Sequence, residues 1–141
     1  MEVKKIAVLG AGLMGHGICQ VAAQTGQYDV YLRDVEQRFL DNGMNMIKTS
    51  LQKFQAKGTR TEQQVNEILG RIHPTLDLKE AAADADLIIE AVTENPELKK
   101  RVLAEADSVA NPEAIIATNT SSISITELAS ATRRPEKFAG M

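Results

Sequence analysis

Hydrophobic and polar positions along this chain change period in a regular order. "KKIAVLG" (residues 4–10) is a short apolar, β-rich run that Gly10 closes, and it reads as a buried strand. Met14, Ile18, Val21 and Ala22 then recur at helical spacing until Gly26, and "DVYLRD" (residues 29–34) is a second strand. A long helical pattern occupies about residues 36–56, with Phe39, Leu40, Ile47, Leu51 and Phe54 on one face and Gly58 at its end. Thr61 with Gln64 forms a capping box for a further helix carrying Val65, Ile68 and Leu69. After a short extended piece over residues 72–76, "ADLIIEAV" is the most apolar strand. Asn95 and Pro96 suit the cap and first position of a helix through Leu98, Val102, Leu103 and Ala106. "AIIATN" is another strand, Ser124 and Glu127 box a short helix, and "KFAGM" (residues 137–141) opens a strand again. Helices alternating with strands that are apolar on both faces predict an α/β fold, a doubly wound parallel sheet covered on both sides.

Composition narrows the function classes. The 141 residues, 43% of them apolar, suffice for one domain with a core. With 16 basic and 19 acidic residues and no basic stripe, bulk charge favours neither nucleic acid nor an anionic membrane. The single Cys19 rules out an internal disulfide framework and a cysteine-based zinc site, and no metal is expected. The apolar segments are short, and the first residues enter a strand at once, so a soluble cytoplasmic protein is expected.

"GAGLMG" fits G-x-G-x-x-G in the context the motif requires: it follows the first strand, opens a helix, and precedes a second strand ending in an acid, Asp34. The interval from Gly15 to Asp34 is close to the ~20 residues typical of dinucleotide sites. Gly10 permits the tight turn, Gly12 lets the backbone approach a pyrophosphate, and Gly15 lets the helix pack on the sheet. With Ala11, Leu13 and Met14 these residues form a cradle at a helix N-terminus, where N–H groups and the dipole favour anions. Asp34 can accept both adenosine ribose hydroxyls and would repel a 2′-phosphate, so NAD is favoured over NADP. Arg33 could serve a phosphate, but neighbours in a strand point to opposite faces.

Three stretches in this order, "VLGAGLMGHGICQ", "EAVTEN" and "TNTSSISITELASAT", resemble the 3-hydroxyacyl-CoA dehydrogenases, bacterial 3-hydroxybutyryl-CoA dehydrogenases in particular. The resemblance implies a Rossmann-type NAD-binding domain over residues 1–141, interrupted before a helical dimerisation domain. It implies an oxidoreductase that interconverts 3-hydroxyacyl-CoA and 3-oxoacyl-CoA, with an acyl-CoA substrate and a homodimeric full-length form. It places Glu94 and Lys99 at the nicotinamide half of NAD, and Ser121 on the substrate's 3-oxygen beside the nicotinamide. Lys53 and Lys57 fall where the family contacts the coenzyme A phosphates. Each has a plainer reading as well. Lys53 and Lys57 also suit a solvated helix face, Ser121 a turn cap, and Glu94 a helix-dipole partner. Cys19 reads as helix packing.

Oxidising a 3-hydroxyacyl thioester needs a base for the hydroxyl proton, most often a His held by a carboxylate. His16 lies at the start of the phosphate-turn helix and His73 in a distant connection, and neither belongs to a recognisable base–orienter pair. In the family resembled, a catalytic His directly follows "FAGM", so "KFAGM" is expected to be an interruption, leaving an NAD-binding but inactive piece. A stand-alone, non-catalytic dinucleotide-binding module is the alternative.

Overall fold

The computed structural model describes residues 2–120 and 123–141. Six strands, β1 (Lys5–Leu9), β2 (Asp29–Arg33), β3 (Ile72–Thr75), β4 (Leu87–Glu90), β5 (Ile115–Thr118) and β6 (Phe138–Gly140), form one sheet. Every neighbouring pair is parallel, in the order β3-β2-β1-β4-β5-β6. The chain builds outward from β1 to β3, then returns to β4 on the other side of β1. The direction of winding therefore reverses between β1 and β4, the place where ligands meet such sheets.

The helices are α1 (Leu13–Gln24), α2 (Gln37–Ala56), α3 (Glu62–Gly70), α4 (Leu78–Ala82), α5 (Pro96–Val109) and α6 (Ile125–Ala129). Strand alternation sorts them into two cores. Ile6, Val8, Val30, Leu32 and Ile89 face α1, α2 and α3, meeting Cys19, Ala23, Leu40, Ile47, Leu51, Val65 and Ile68. Ala7, Leu9, Ile88 and Ile116 face the other way, onto Ala81, Ala82, Val102, Leu103, Ala106 and Leu128 of α4, α5 and α6. Each face is apolar because each is covered, as the strand composition predicts.

The caps follow the sequence closely. Thr61 and Gln64 make both bonds of the capping box on α3, and Asn95 Oδ1 accepts from the amides of Glu97 and Leu98 ahead of α5. Each cap contributes about 1 kcal/mol. On α6 the cap is one-sided: Ser124 accepts from the Glu127 amide, while the Glu127 carboxylate pairs with Lys100 at 2.7 Å. Gly58 closes α2 with φ +76°.

Two expectations need correction. Met14 and Val21 are 56% and 64% exposed; α1 meets its neighbours through Gly15, Cys19 and Ala23, with Ile18 and Ala22 partly buried. The close approach at Gly15 sets this rotation, because a Cβ there would lie 1.7 Å from the Gly10 carbonyl oxygen. Phe54 is 36% exposed, and Phe39 turns toward the cavity described below. Residues 72–75 are a full edge strand on β2, and α4, only five residues long, gives no readable period. It is held by Asp77, whose carboxylate accepts from the Lys79 and Glu80 amides.

Candidate functional site

The carboxyl ends of the strands carry the site. Just past β1, β4 and β5, the amides of Gly10, Ala91 and Asn119 each donate at 2.8 Å to the last carbonyl of a neighbouring strand: Arg33, Leu9 and Glu90. The Met141 amide adds a fourth bond in the row, to Thr118. Above this row lies a cavity of about 640 Å³, lined by the glycine turn, Asp34, Phe39 and Asn42 on one side. Ala91, Val92, Thr93, Glu94, Leu98 and Asn119 line the other.

The glycines divide their work as the motif requires. Gly10 adopts φ +108°, and a Cβ on it would come within 2.7 Å of the Ala91 carbonyl oxygen. Gly15 permits the contact with Gly10 already described. Gly12 differs, because a Cβ there would meet nothing within 4 Å. No packing demands glycine at that position, so the space above it suits a ligand. Gly12 is also the N-cap of α1 and offers no side-chain cap, and the first helical turn carries no acid. The helix hydrogen-bond ladder starts with the His16 amide on the Gly12 carbonyl, ahead of which Leu13 and Met14 line the mouth while Gly15 is buried. Such an N-terminus attracts a phosphate anion.

Asp34 stands at the tip of β2, its Oδ2 accepting from the Ala11 amide at 2.8 Å and its Oδ1 from the Val35 amide at 2.7 Å. The carboxylate is thereby locked to the glycine turn and faces the cavity. Arg33 also lines the cavity, and its guanidinium donates from Nε to the Leu76 carbonyl at 3.2 Å. Gly43, in the middle of α2, has a role the periodicity does not reveal: a Cβ there would come within 2.7 Å of the Ala11 carbonyl oxygen. Glycine in a helix interior costs roughly 1 kcal/mol against alanine, and here it lets α2 dock on the turn.

At the other end, Glu94 lines the cavity and accepts from the Thr120 hydroxyl at 2.6 Å. Lys99 does not line the cavity. Its side chain is 0% exposed, and Nζ donates to Glu90 Oε2 at 2.7 Å, the Asn119 carbonyl at 3.0 Å and the Val92 carbonyl at 3.2 Å. Glu94 Oε1 lies 3.5 Å from the same ammonium. Glu90, wholly buried at the end of an apolar strand, also accepts from the Val92 amide at 2.8 Å and from the Thr118 hydroxyl. Glu90, Thr118 and Asn119 are missing from the sequence reading. The available signal was a lone carboxylate inside "LIIEAV", which only makes sense with a buried cation beside it.

Ser121 lies outside the described residues. Lys53 is in the last turn of α2 and Lys57 caps it, both exposed at the far end of the helix that Gly43 docks on the turn. The expectation for His73 changes, since its Nε2 lies 3.1 Å from Asp29 Oδ1 and its ring stacks on Tyr31. That pair joins the start of β2 to the edge strand β3, whereas the cavity lies past the carboxyl ends of the strands. His16 Nδ1 donates to the Gly12 carbonyl at 2.7 Å. Cys19 is buried, and burial pushes its thiol up to about 12, which fits a packing role. Among the described residues, no helix is long and apolar enough to cross a membrane.

Residues 5–141 match the model of the 3-hydroxyacyl-CoA dehydrogenase NAD binding domain. A probable 3-hydroxybutyryl-CoA dehydrogenase of Deinococcus radiodurans is 48% identical over 137 residues, covering 97% of this chain and 48% of its own. A fatty acid oxidation complex subunit alpha of Idiomarina loihiensis is 46% identical over 99% of this chain, which is 19% of that protein. The crystal structure of (S)-3-hydroxybutyryl-CoA dehydrogenase from Ralstonia eutropha superimposes with a TM-score of 0.95 at 36% identity, over 99% of this chain and 49% of that one. This chain spans about half the length, or less, of the curated relatives it matches. By its glycine turn, its parallel sheet and these matches, the chain belongs to the 3-hydroxyacyl-CoA dehydrogenase family, as an NAD-binding domain.

Proposed function

We propose that the whole protein interconverts 3-hydroxyacyl-CoA and 3-oxoacyl-CoA, with 3-hydroxybutyryl-CoA the favoured substrate, and that this chain supplies the NAD site. The observation that carries the proposal is the open space above Gly12, at an uncapped helix N-terminus with the Asp34 carboxylate beside it. Those features fit NAD. Leu13 and Met14 would meet the pyrophosphate with their amides, with Gly15 packing the helix start on the turn, and Asp34 would take the adenosine ribose. Glu94 would border the nicotinamide, which when bound supplies the hydride acceptor. Ser121 is assigned to the substrate's 3-oxygen, and Lys53 and Lys57 to the coenzyme A phosphates. Acyl-CoA as substrate and a homodimeric full-length form follow from the same family resemblance.

Neither histidine is placed to take the hydroxyl proton: His16 is tied into the turn, and His73 sits on the edge strand β3, paired with Asp29 at the start of β2. The family resemblance instead implies a His base directly after "FAGM", and that His is the base proposed for the whole protein. The test is oxidation of NADH with acetoacetyl-CoA, by the whole protein and by the 141-residue chain. Turnover is expected only from the whole protein. A whole protein that binds NADH yet turns over no 3-oxoacyl thioester would instead support the non-catalytic module.

A further inference from the structure

We propose that Glu90 is a positioning residue for the nicotinamide end of the dinucleotide, acting through the buried Lys99 ammonium on the Val92 and Asn119 main chain and the Glu94 carboxylate. The inference rests on the NAD-binding reading and deepens it. Three observations carry it. First, a lysine ammonium has three N–H donors, and those of Lys99 are met by Glu90 and by the Val92 and Asn119 carbonyls. Lys99 thus acts from behind the cavity wall. Second, both carbonyls belong to residues that line the cavity, one after β4 and one after β5. Glu90 Oε2 also holds the Val92 amide, so a single carboxylate–ammonium pair straps the β4–α5 loop by its N–H and its carbonyl. Third, the side chains of Glu90 and Lys99 are both 0% exposed, and a buried ion pair is often matched in stability by apolar residues of similar volume. What apolar side chains cannot do is bridge two main-chain carbonyls from different loops and border the Glu94 carboxylate at 3.5 Å.

The adenosine end has a separate anchorage in Asp34 and the glycine turn, so the two ends can be tested apart. Binding of NADH and of ADP-ribose, which lacks the nicotinamide, is measured by calorimetry on the unsubstituted chain, Glu90→Gln and the double variant Glu90→Gln/Lys99→Met. The unsubstituted chain is expected to bind NADH more tightly than ADP-ribose. Glu90→Gln should weaken NADH about 10- to 100-fold, the scale of one charged hydrogen bond, and shift ADP-ribose less than about threefold. The double variant removes both charges and should fold as stably as the parent while keeping the NADH defect. Recovery of NADH affinity together with stability in the double variant would show a purely structural pair and overturn the inference. Equal losses for both ligands, or no nicotinamide advantage in the unsubstituted chain, would also overturn it. Failure of the unsubstituted chain to bind either ligand would overturn the NAD-binding reading itself.

Discussion

Replacing Gly12 by alanine should abolish most dinucleotide binding while leaving the fold nearly untouched. At Gly12 the backbone sits at φ −70°, ψ −162°, which alanine adopts without strain, and the added methyl meets nothing within 4 Å. Alanine restricts the unfolded chain, worth about 0.4–1 kcal/mol in favour of folding, and is the poorer N-cap by a similar amount. These nearly cancel, so stability should change by less than about 1 kcal/mol. Binding is another matter. The methyl would stand over the amides of the first turn of α1 and displace the pyrophosphate from one or two of them. Each charge-assisted hydrogen bond contributes about 1.5–3 kcal/mol, so a loss of about 2–4 kcal/mol is expected, or roughly 30- to 700-fold in Kd. NADH fluorescence titration gives the affinity, and urea unfolding of the same protein gives the stability. Gly10→Ala and Gly15→Ala are the contrast, because their methyls would lie 2.7 Å and 1.7 Å from backbone oxygens and both should destabilise the fold outright. A Gly12→Ala protein that binds NADH normally would refute the placement of the pyrophosphate. One that unfolds like the other two would refute the reading of the empty space.

Asp34→Ala should weaken NADH by about 1.5–3 kcal/mol and narrow the gap to NADPH, measured by paired titrations; equal affinities in the unsubstituted chain would sink the assignment of NAD preference. Cys19, its thiol pushed up to about 12 by burial, should resist a thiol reagent at pH 8 in the native protein and react at once in denaturant. Rapid native labelling would contradict its packing. Burial pushes the Asp107 carboxyl up, but hydrogen bonds from the Arg133 amide and the Arg134 guanidinium outweigh it and hold it below the usual carboxylate range. That stability is present above the carboxylate range and lost as pH falls through the folded value. Asp107→Asn should therefore lose most at pH 7, and its deficit should shrink in acid unfolding titrations. A deficit constant with pH would leave only a packing role.

Local rules carried much of this protein. The continuous apolar runs in "KKIAVLG" and "ADLIIEAV", the Thr61–Gln64 box, the Asn95–Pro96 helix start and the glycine turn followed by Asp34 all act within a few residues or one βαβ unit. Patterning and propensity can therefore express them. Other features needed the sheet. The rotation of α1 depends on Gly15 against the Gly10 carbonyl, and the mid-helix Gly43 on the Ala11 carbonyl, contacts that no period encodes. His73 and Asp29 pair because β3 lies against β2, in a register that a long helical excursion separates in sequence. Glu90 on β4, Lys99 on α5 and Asn119 just past β5 converge because β1, β4 and β5 end side by side. A charge inside an apolar strand is a local anomaly. Its meaning as a buried strap beneath the cavity exists only once tertiary packing excludes water and leaves Lys99 as the partner that makes its burial tolerable.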